Sequence, residues 1–272
     1  MTGKRGSWWA AALAGGLMFA HGAGASTAAS GSATQPRVGD AFQWSKAIPP
    51  GKEIEIKGVN GDIRASRAAG KEVEVRATKR ARKSDPNQVT IEVIEHEDGV
   101  TICAKYPGPG NECGPGDKWH THTHNNDVEV HFDVRVPAGV RLVARTVNGE
   151  VRAEDLAGPV EAETVNGAVR VSTSGYASAE SVNGSITAAL GSAEWTEPIS
   201  FSTVNGEIHL TLPANLDADV RARTVNGVVD SDFPVTVIGT LSKHRIQGTI
   251  GKGGRRLDLE TTNGNISLHA GT

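Results

Sequence analysis

The 272-residue chain sets 28 Lys and Arg against 31 Asp and Glu, and only 4% of its residues are aromatic. So mild an acidity argues against nucleic acid as a partner, which would ask for a basic surface. The scarcity of aromatics argues against the ring platforms on which sugar-processing clefts rely.

From the N-terminus, Lys4 and Arg5 precede an apolar stretch from Trp8 to Ala20 and then Ala23-Gly24-Ala25. That is the order of a secretory signal peptide, residues 1–25, with cleavage expected after Ala25. The stretch is shorter than the ~18 residues of a spanning helix and no second one follows, so no transmembrane segment is expected after cleavage. The destination is then the periplasm or the exterior. Residues 26–37, STAASGSATQPR, are small and polar and read as a disordered linker, which leaves 38–272 as the folded domain.

A first VNG copy, at Asn60, is followed by 87 residues before the next, at Asn148. The span 60–147 holds KEVEVRATK, QVTIEVIE, GVTICAKY and DVEVHFDVRV, alternating runs that read as an antiparallel β insertion at the N-terminal end. Cys103 and Cys113 enclose the turn-rich AKYPGPGNE, and in an oxidising compartment a disulfide is their expected state. Thiol metal ligation is the alternative, which the spacing does not favour.

Beyond the insertion the chain repeats one phrase: RTVNGEV, ETVNGAV, ESVNGSI, STVNGEI, RTVNGVV and ETTNGNI, centred on Asn148, Asn166, Asn183, Asn205, Asn226 and Asn263, with a degenerate copy at Gln247. Three residues after each centre stands a Val or Ile, and four before it a mostly apolar residue; the alternation reads as strands with one buried face. Asn-Gly tolerates the backbone of a tight turn, and two architectures use it. In a meander each copy is a hairpin tip; in a solenoid each is a coil corner, with equivalent residues stacked ~4.8 Å apart. The kept identity of Val147, Val165, Val182, Val204 and Val225 favours the solenoid, because only stacked coils bring like residues together. Stacked Asn amides also bond along a ladder. The expected fold is all-β: a single-stranded β-solenoid of about eight short coils. The C-terminal copy, LETTNGNISLHAGT, shows no cap and is a candidate surface for self-association.

These copies, together with VPAGVRLVARTVNGEV at residues 136–151, resemble the putative-adhesin β-strand-repeat family of bacterial envelope proteins, which is related to toast-rack and head domains. The resemblance spans about residues 42–272. It implies a right-handed solenoid-like domain in an exported protein and supplies no catalytic residues.

Local chemistry is sparse. His120, His122 and His124 alternate in DKWHTHTHNND and would share one face of an extended strand, as a zinc or copper site requires; the alternative is a solvated loop. Asp62, Glu150 and Glu207 fall two places after a central Asn, but Ala168, Ser185 and Val228 interrupt the row, so the pair of facing acids that a glycan-processing β-helix enzyme needs is not formed. The basic run KRARK, residues 79–83, reads as a solvated turn before SDPN, with contact to an anionic surface as the alternative. No nucleophile with its base and no phosphate-cradling loop is present. The sequence therefore predicts a non-enzymatic exported structural or interaction module with no cofactor. Its expected partner is an envelope protein, a polysaccharide or itself; the alternatives are a metal-binding module and a glycan-processing enzyme.

Overall fold

The computed structural model describes residues 36–116, 121–123, 125–237 and 242–271. They form strands β1 (Arg37–Val38), β2 (Phe42–Ala47), β3 (Glu53–Lys57), β4 (Ile63–Arg67), β5 (Glu72–Ala81), β6 (Thr90–His96), β7 (Gly99–Lys105), β8 (Glu129–Val136), β9 (Arg141–Arg145), β10 (Val151–Leu156) and β11 (Val160–Asn166). There follow β12 (Val169–Thr173), β13 (Ala177–Asn183), β14 (Ile186–Leu190), β15 (Ile199–Asn205), β16 (Ile208–Pro213), β17 (Ala218–Asn226), β18 (Val229–Ser231), β19 (Val235–Val237), β20 (Arg245–Ile250), β21 (Arg256–Asn263) and β22 (Ile266–Gly271). One 3-10 turn, Pro86–Gln88, is the sole helical element among the described residues.

The strands make two large mixed sheets, and the fold is all-β and solenoid-like. One sheet runs β1-β5-β8-β4-β10-β12-β14-β16-β22-β18, with β2 also on β5; the other runs β19-β20-β17-β21-β15-β13-β11-β9-β3-β7-β6. Each repeat gives its first strand to the second sheet, turns at Asn-Gly, and gives its next strand to the first. Neighbouring repeats pair in parallel with like residues opposed: Ala144, Ala162 and Ala179 in one sheet, Val151, Val169 and Ile186 in the other. Period-two alternation supplies the core: the buried Ile54, Leu142, Phe201 and Leu257 of one sheet face Ile63, Val151, Ile208 and Ile266 of the other.

The insertion is shared between the sheets. β5 and β8 pair antiparallel and join the first sheet through a parallel β8–β4 contact, while β6 and β7 pair antiparallel and join the second through β7–β3. β2 and β6 lie at the same end of the two sheets, linked by the Lys46–Glu95 ion pair at 2.5 Å.

Two expectations fail at the C-terminal end. Gln247 is no coil centre: it lies in β20, antiparallel to β17. The warning was in the sequence, where Lys243 stands in the place that holds an apolar residue in every other copy. The C-terminal copy, in turn, does not end the stack bare. Its β21 pairs in parallel with both β15 and β17, and its β22 with both β16 and β18, so it slots between the Asn205 and Asn226 copies. The far end belongs to the Asn226 copy, with β20 along β17 and β19 beyond it.

Candidate functional site

Each part of the Thr-Val-Asn-Gly phrase does a separate task at the corner. Asn148 donates through Nδ2 to Oδ1 of Asn60, and the pattern continues through Asn166, Asn183, Asn205, Asn263 and Asn226, six bonds of 2.7–2.9 Å joining seven side chains. All six run in one direction, so the amide dipoles align and reinforce one another. The hydroxyl two residues earlier is buried and donates to the glycine carbonyl of the adjacent copy: Thr146, Thr164, Ser181, Thr203, Thr261 and Thr224, at 2.8–3.1 Å. The glycine is compulsory because a Cβ on Gly149, Gly167, Gly184, Gly206, Gly264 or Gly227 would lie 1.9–2.2 Å from that same carbonyl oxygen. Stacking of like on like thus follows from hydrogen bonding and steric clearance together.

The Val of the phrase has no such interior task. The paired residues on either side of Val165 and Val182, Thr164 with Ser181 and Asn166 with Asn183, set the two valines in register, yet beyond the buried Val59 the column turns toward solvent. Val165 is 38% exposed, Val204 42% and Val225 51%. In stack order the column begins with the buried Val59, passes through the half-buried Val147, and continues as Val165, the half-buried Val182, Val204, Thr262 and Val225, with the Asn ladder beside it. An apolar row kept in register without being buried suits contact with another molecule. Beside its N-terminal part lies a shallow groove of about 390 Å³, lined by Arg145, Val147, Glu163, Val165, Glu180 and Val182.

Charges organise the sheet face next to that groove. Arg145 pairs with Glu55 at 3.1 Å, Glu161 at 2.6 Å and Glu163 at 3.1 Å, and Arg141 also pairs with Glu161. Partial burial raises the Glu163 carboxyl above the usual range, against the pull of Arg145. At Glu161 burial acts the same way but the hydrogen bond from Arg145 and the field of Arg141 outweigh it, so its carboxyl is held low.

Both ends of the ladder are finished by other side chains. At the first, Tyr106 is buried beside Asn60 and donates to the Val128 carbonyl at 2.7 Å; burial pushes its phenol up to about 12. At the last, Nδ1 of His244 meets the Gly227 carbonyl at 2.7 Å, standing in for the threonine hydroxyl that a further copy would have supplied.

Cys103 and Cys113 form the expected disulfide, with Cα atoms 5.8 Å apart. Sequence reasoning missed what the bridge covers. Glu55 and Lys57 face away from the core yet are 1% and 0% exposed, paired at 3.1 Å. Lys57 donates to the carbonyls of Gly114 at 2.6 Å and Gly116 at 2.5 Å, and Glu55 accepts from Thr101 at 2.8 Å and from the Gly116 amide at 3.2 Å. The segment just after the bridge, Gly114 to Gly116, is therefore the second half of a buried ionic site. The one signal was positional, since Cys103 is in register with Lys57.

Of the histidine trio, His120 and His124 lie outside the described residues; His122 is exposed, its backbone tied to Asn111 in both directions. Among the described residues no three metal-ligating side chains come together. Asp62 and Glu150 sit on adjacent copies, but Asp62 is bonded to Arg64 and to the Glu150 amide, and Glu150 to Arg152 and Arg170. Glu207, three copies away from Glu150 in the stack, is held by His209 and Asn265. The KRARK run is not the solvated turn its charge suggested: Lys79 to Ala81 belong to β5, and Lys79 is buried with its ammonium on the Val89 carbonyl. Arg80 points outward from the strand, and Arg82 and Lys83 follow it in the turn, their amides with that of Ser84 wrapped around the Asp127 carboxylate at 2.8–3.0 Å.

The family profile described as Toastrack DUF4097 matches residues 26–269, a span that contains every rung of the ladder. The chain belongs to the Toastrack DUF4097 family. Among solved structures, this Toastrack chain is similar to a putative cell adhesion protein from Clostridium sporogenes, at 12% identity and a TM-score of 0.42, over 85% of this chain and 100% of that one. It is also similar to a putative adhesin from Bacteroides fragilis, at 10% identity and a TM-score of 0.37, over 84% and 97% of the two chains. No curated protein matches it. No helix among the described residues of the Toastrack chain is long and apolar enough to cross a membrane.

Proposed function

We propose that this Toastrack chain is an exported, non-enzymatic interaction module of the bacterial envelope. Its Val–Asn ridge binds another envelope component: a protein, a polysaccharide or a second copy of itself. The observation that carries the reading is the outward valine column, in which Val165, Val204 and Val225 keep their identity and register while remaining 38–51% exposed. Interior packing gives no reason to keep them, and a solvated strand end would favour polar residues. Export is supported by the leader-like residues 1–25 and by the disulfide, which oxidising compartments maintain. The stack is taken as a single-stranded, right-handed solenoid, since a crossover between parallel strands of one sheet turns right-handed. The carboxylates of the former acid row are held by arginine, amide or histidine, which supports a role other than acid–base chemistry.

The test is capture from envelope extracts by immobilised protein, compared with the double variant Val165→Asp, Val204→Asp. Both positions are exposed, so the variant is expected to keep its fold by circular dichroism. Losing the burial of two valines in a contact is expected to reduce capture by about tenfold or more. Equal capture by both proteins would overturn the assignment of the ridge. Sedimentation across concentration separates self-association from a heterologous partner.

A further inference from the structure

Asn-Gly is the dipeptide most prone to lose its side-chain amide, because glycine does not hinder its own backbone nitrogen from reaching the preceding Cγ. The chain carries seven copies, all of them ladder corners. Six are restrained at the attacking atom. The amide of Gly61 donates to the Asn148 carbonyl, Gly149 to Asn166, Gly167 to Asn183, Gly184 to Asn205, Gly206 to Asn263 and Gly264 to Asn226, at 2.8–3.1 Å. In those same six, Oδ1 of the asparagine accepts from the next rung. The seventh, at the far end, has no next rung. Among the described residues neither the Gly227 amide nor Oδ1 of Asn226 has a partner, and the Asn226 side chain is held only through its Nδ2 bond to Asn263.

We propose that Asn226–Gly227 is a built-in site of spontaneous deamidation, and that the stacked geometry protects the other six corners. The Gly227 nitrogen attacks Cγ of Asn226. The N–Cγ bond forms, the Cγ–Nδ2 bond breaks, and ammonia leaves with the hydrogen given up by the peptide nitrogen. Water then opens the cyclic imide to aspartate or to the isoaspartyl linkage. Either product removes the donor that bonds to Asn263 and sets a carboxylate oxygen against an amide oxygen. The isoaspartyl form also lengthens the main chain at the corner and so unseats β18, a three-residue strand. The modification would act at one end of the ridge alone, adding a negative charge and loosening the last rung with age.

The experiment incubates folded protein in mildly alkaline buffer and follows aspartate and isoaspartate at each Asn-Gly by peptide mapping, with protein unfolded in urea alongside. Unfolded, the seven sites should react at similar rates. Folded, position 226 should react at least about tenfold faster than any other, the factor that one restraining hydrogen bond supplies. In Asn226→Gln the signal should vanish without moving to Asn263, whose Gly264 amide still donates to the carbonyl of residue 226. Equal or faster reaction at any interior rung, no reaction at 226 in the folded protein, or transfer to Asn263 in the variant would each overturn the proposal.

Discussion

Replacing Gly184 by alanine places a Cβ 1.9 Å from the Gly167 oxygen and 2.5 Å from the Gly167 carbon, both backbone atoms of the neighbouring copy. Neither can rotate away, so the two rungs must part. The bonds lost at that junction are the Gly167 amide to the Asn183 carbonyl at 3.0 Å, Asn183 Nδ2 to Asn166 at 2.8 Å and the Ser181 hydroxyl to Gly167 at 3.0 Å. At about 0.5–1.5 kcal/mol net for each, Gly184→Ala should cost roughly 2–4 kcal/mol. The control is Gly70→Ala, where nothing lies within 4 Å of the added carbon. There the loss of unfolded-state freedom should leave stability unchanged or raise it by up to about 1 kcal/mol. Urea unfolding followed by circular dichroism measures both. Similar midpoints for the two variants would refute the claim that glycine is kept for clearance between stacked corners.

Four further outcomes follow from the same structure. Reducing the Cys103–Cys113 bridge should lower stability by about 3 kcal/mol through its short loop, and Lys57→Met should cost about 1–3 kcal/mol, because the Gly114 and Gly116 carbonyls lose their donor while Glu55 keeps Arg145; thermal melts of the variant, and of the native protein with and without reductant, check both. Asp127 accepts from three successive amides, those of Ser84 first, and its carboxyl is held well below the usual range. Its contribution is therefore complete above the ordinary aspartate pKa and is lost as pH falls toward the depressed folded-state value, so Asp127→Asn should flatten the acid limb of an unfolding-versus-pH profile. A chain ending at residue 255 lacks β21 and β22, the mutual neighbours of four strands, and hydrogen exchange should show β17 and β18 losing protection while β11 to β14 keep theirs.

The repeats made the all-β class and the in-register stacking legible, because Asn bonds to Asn across the rung while the hydroxyl and the glycine both meet the neighbouring glycine carbonyl. The same logic misplaced the valines. Their identity was read as packing of like on like, whereas period-two alternation with the inward Thr sends them to solvent. The order of the stack was not legible. Copies that fit one another equally well carry no address, so nothing in ETTNGNI marks it for the gap between Asn205 and Asn226. Nor did EIEIK reveal a buried Glu–Lys pair, since alternation alone reads its charged face as wet until a distant loop is laid over it.

Stack order is also where the account is most exposed to a direct measurement. Adjacent rungs bring Cα atoms within disulfide reach, while rungs two apart are separated by about 9.6 Å and are not. Under mild oxidation Val204→Cys paired with Thr262→Cys should cross-link readily, and Val204→Cys paired with Val225→Cys should not, although the second pair is closer in sequence. A bond between 204 and 225 with none between 204 and 262 would contradict the stacking described for this protein.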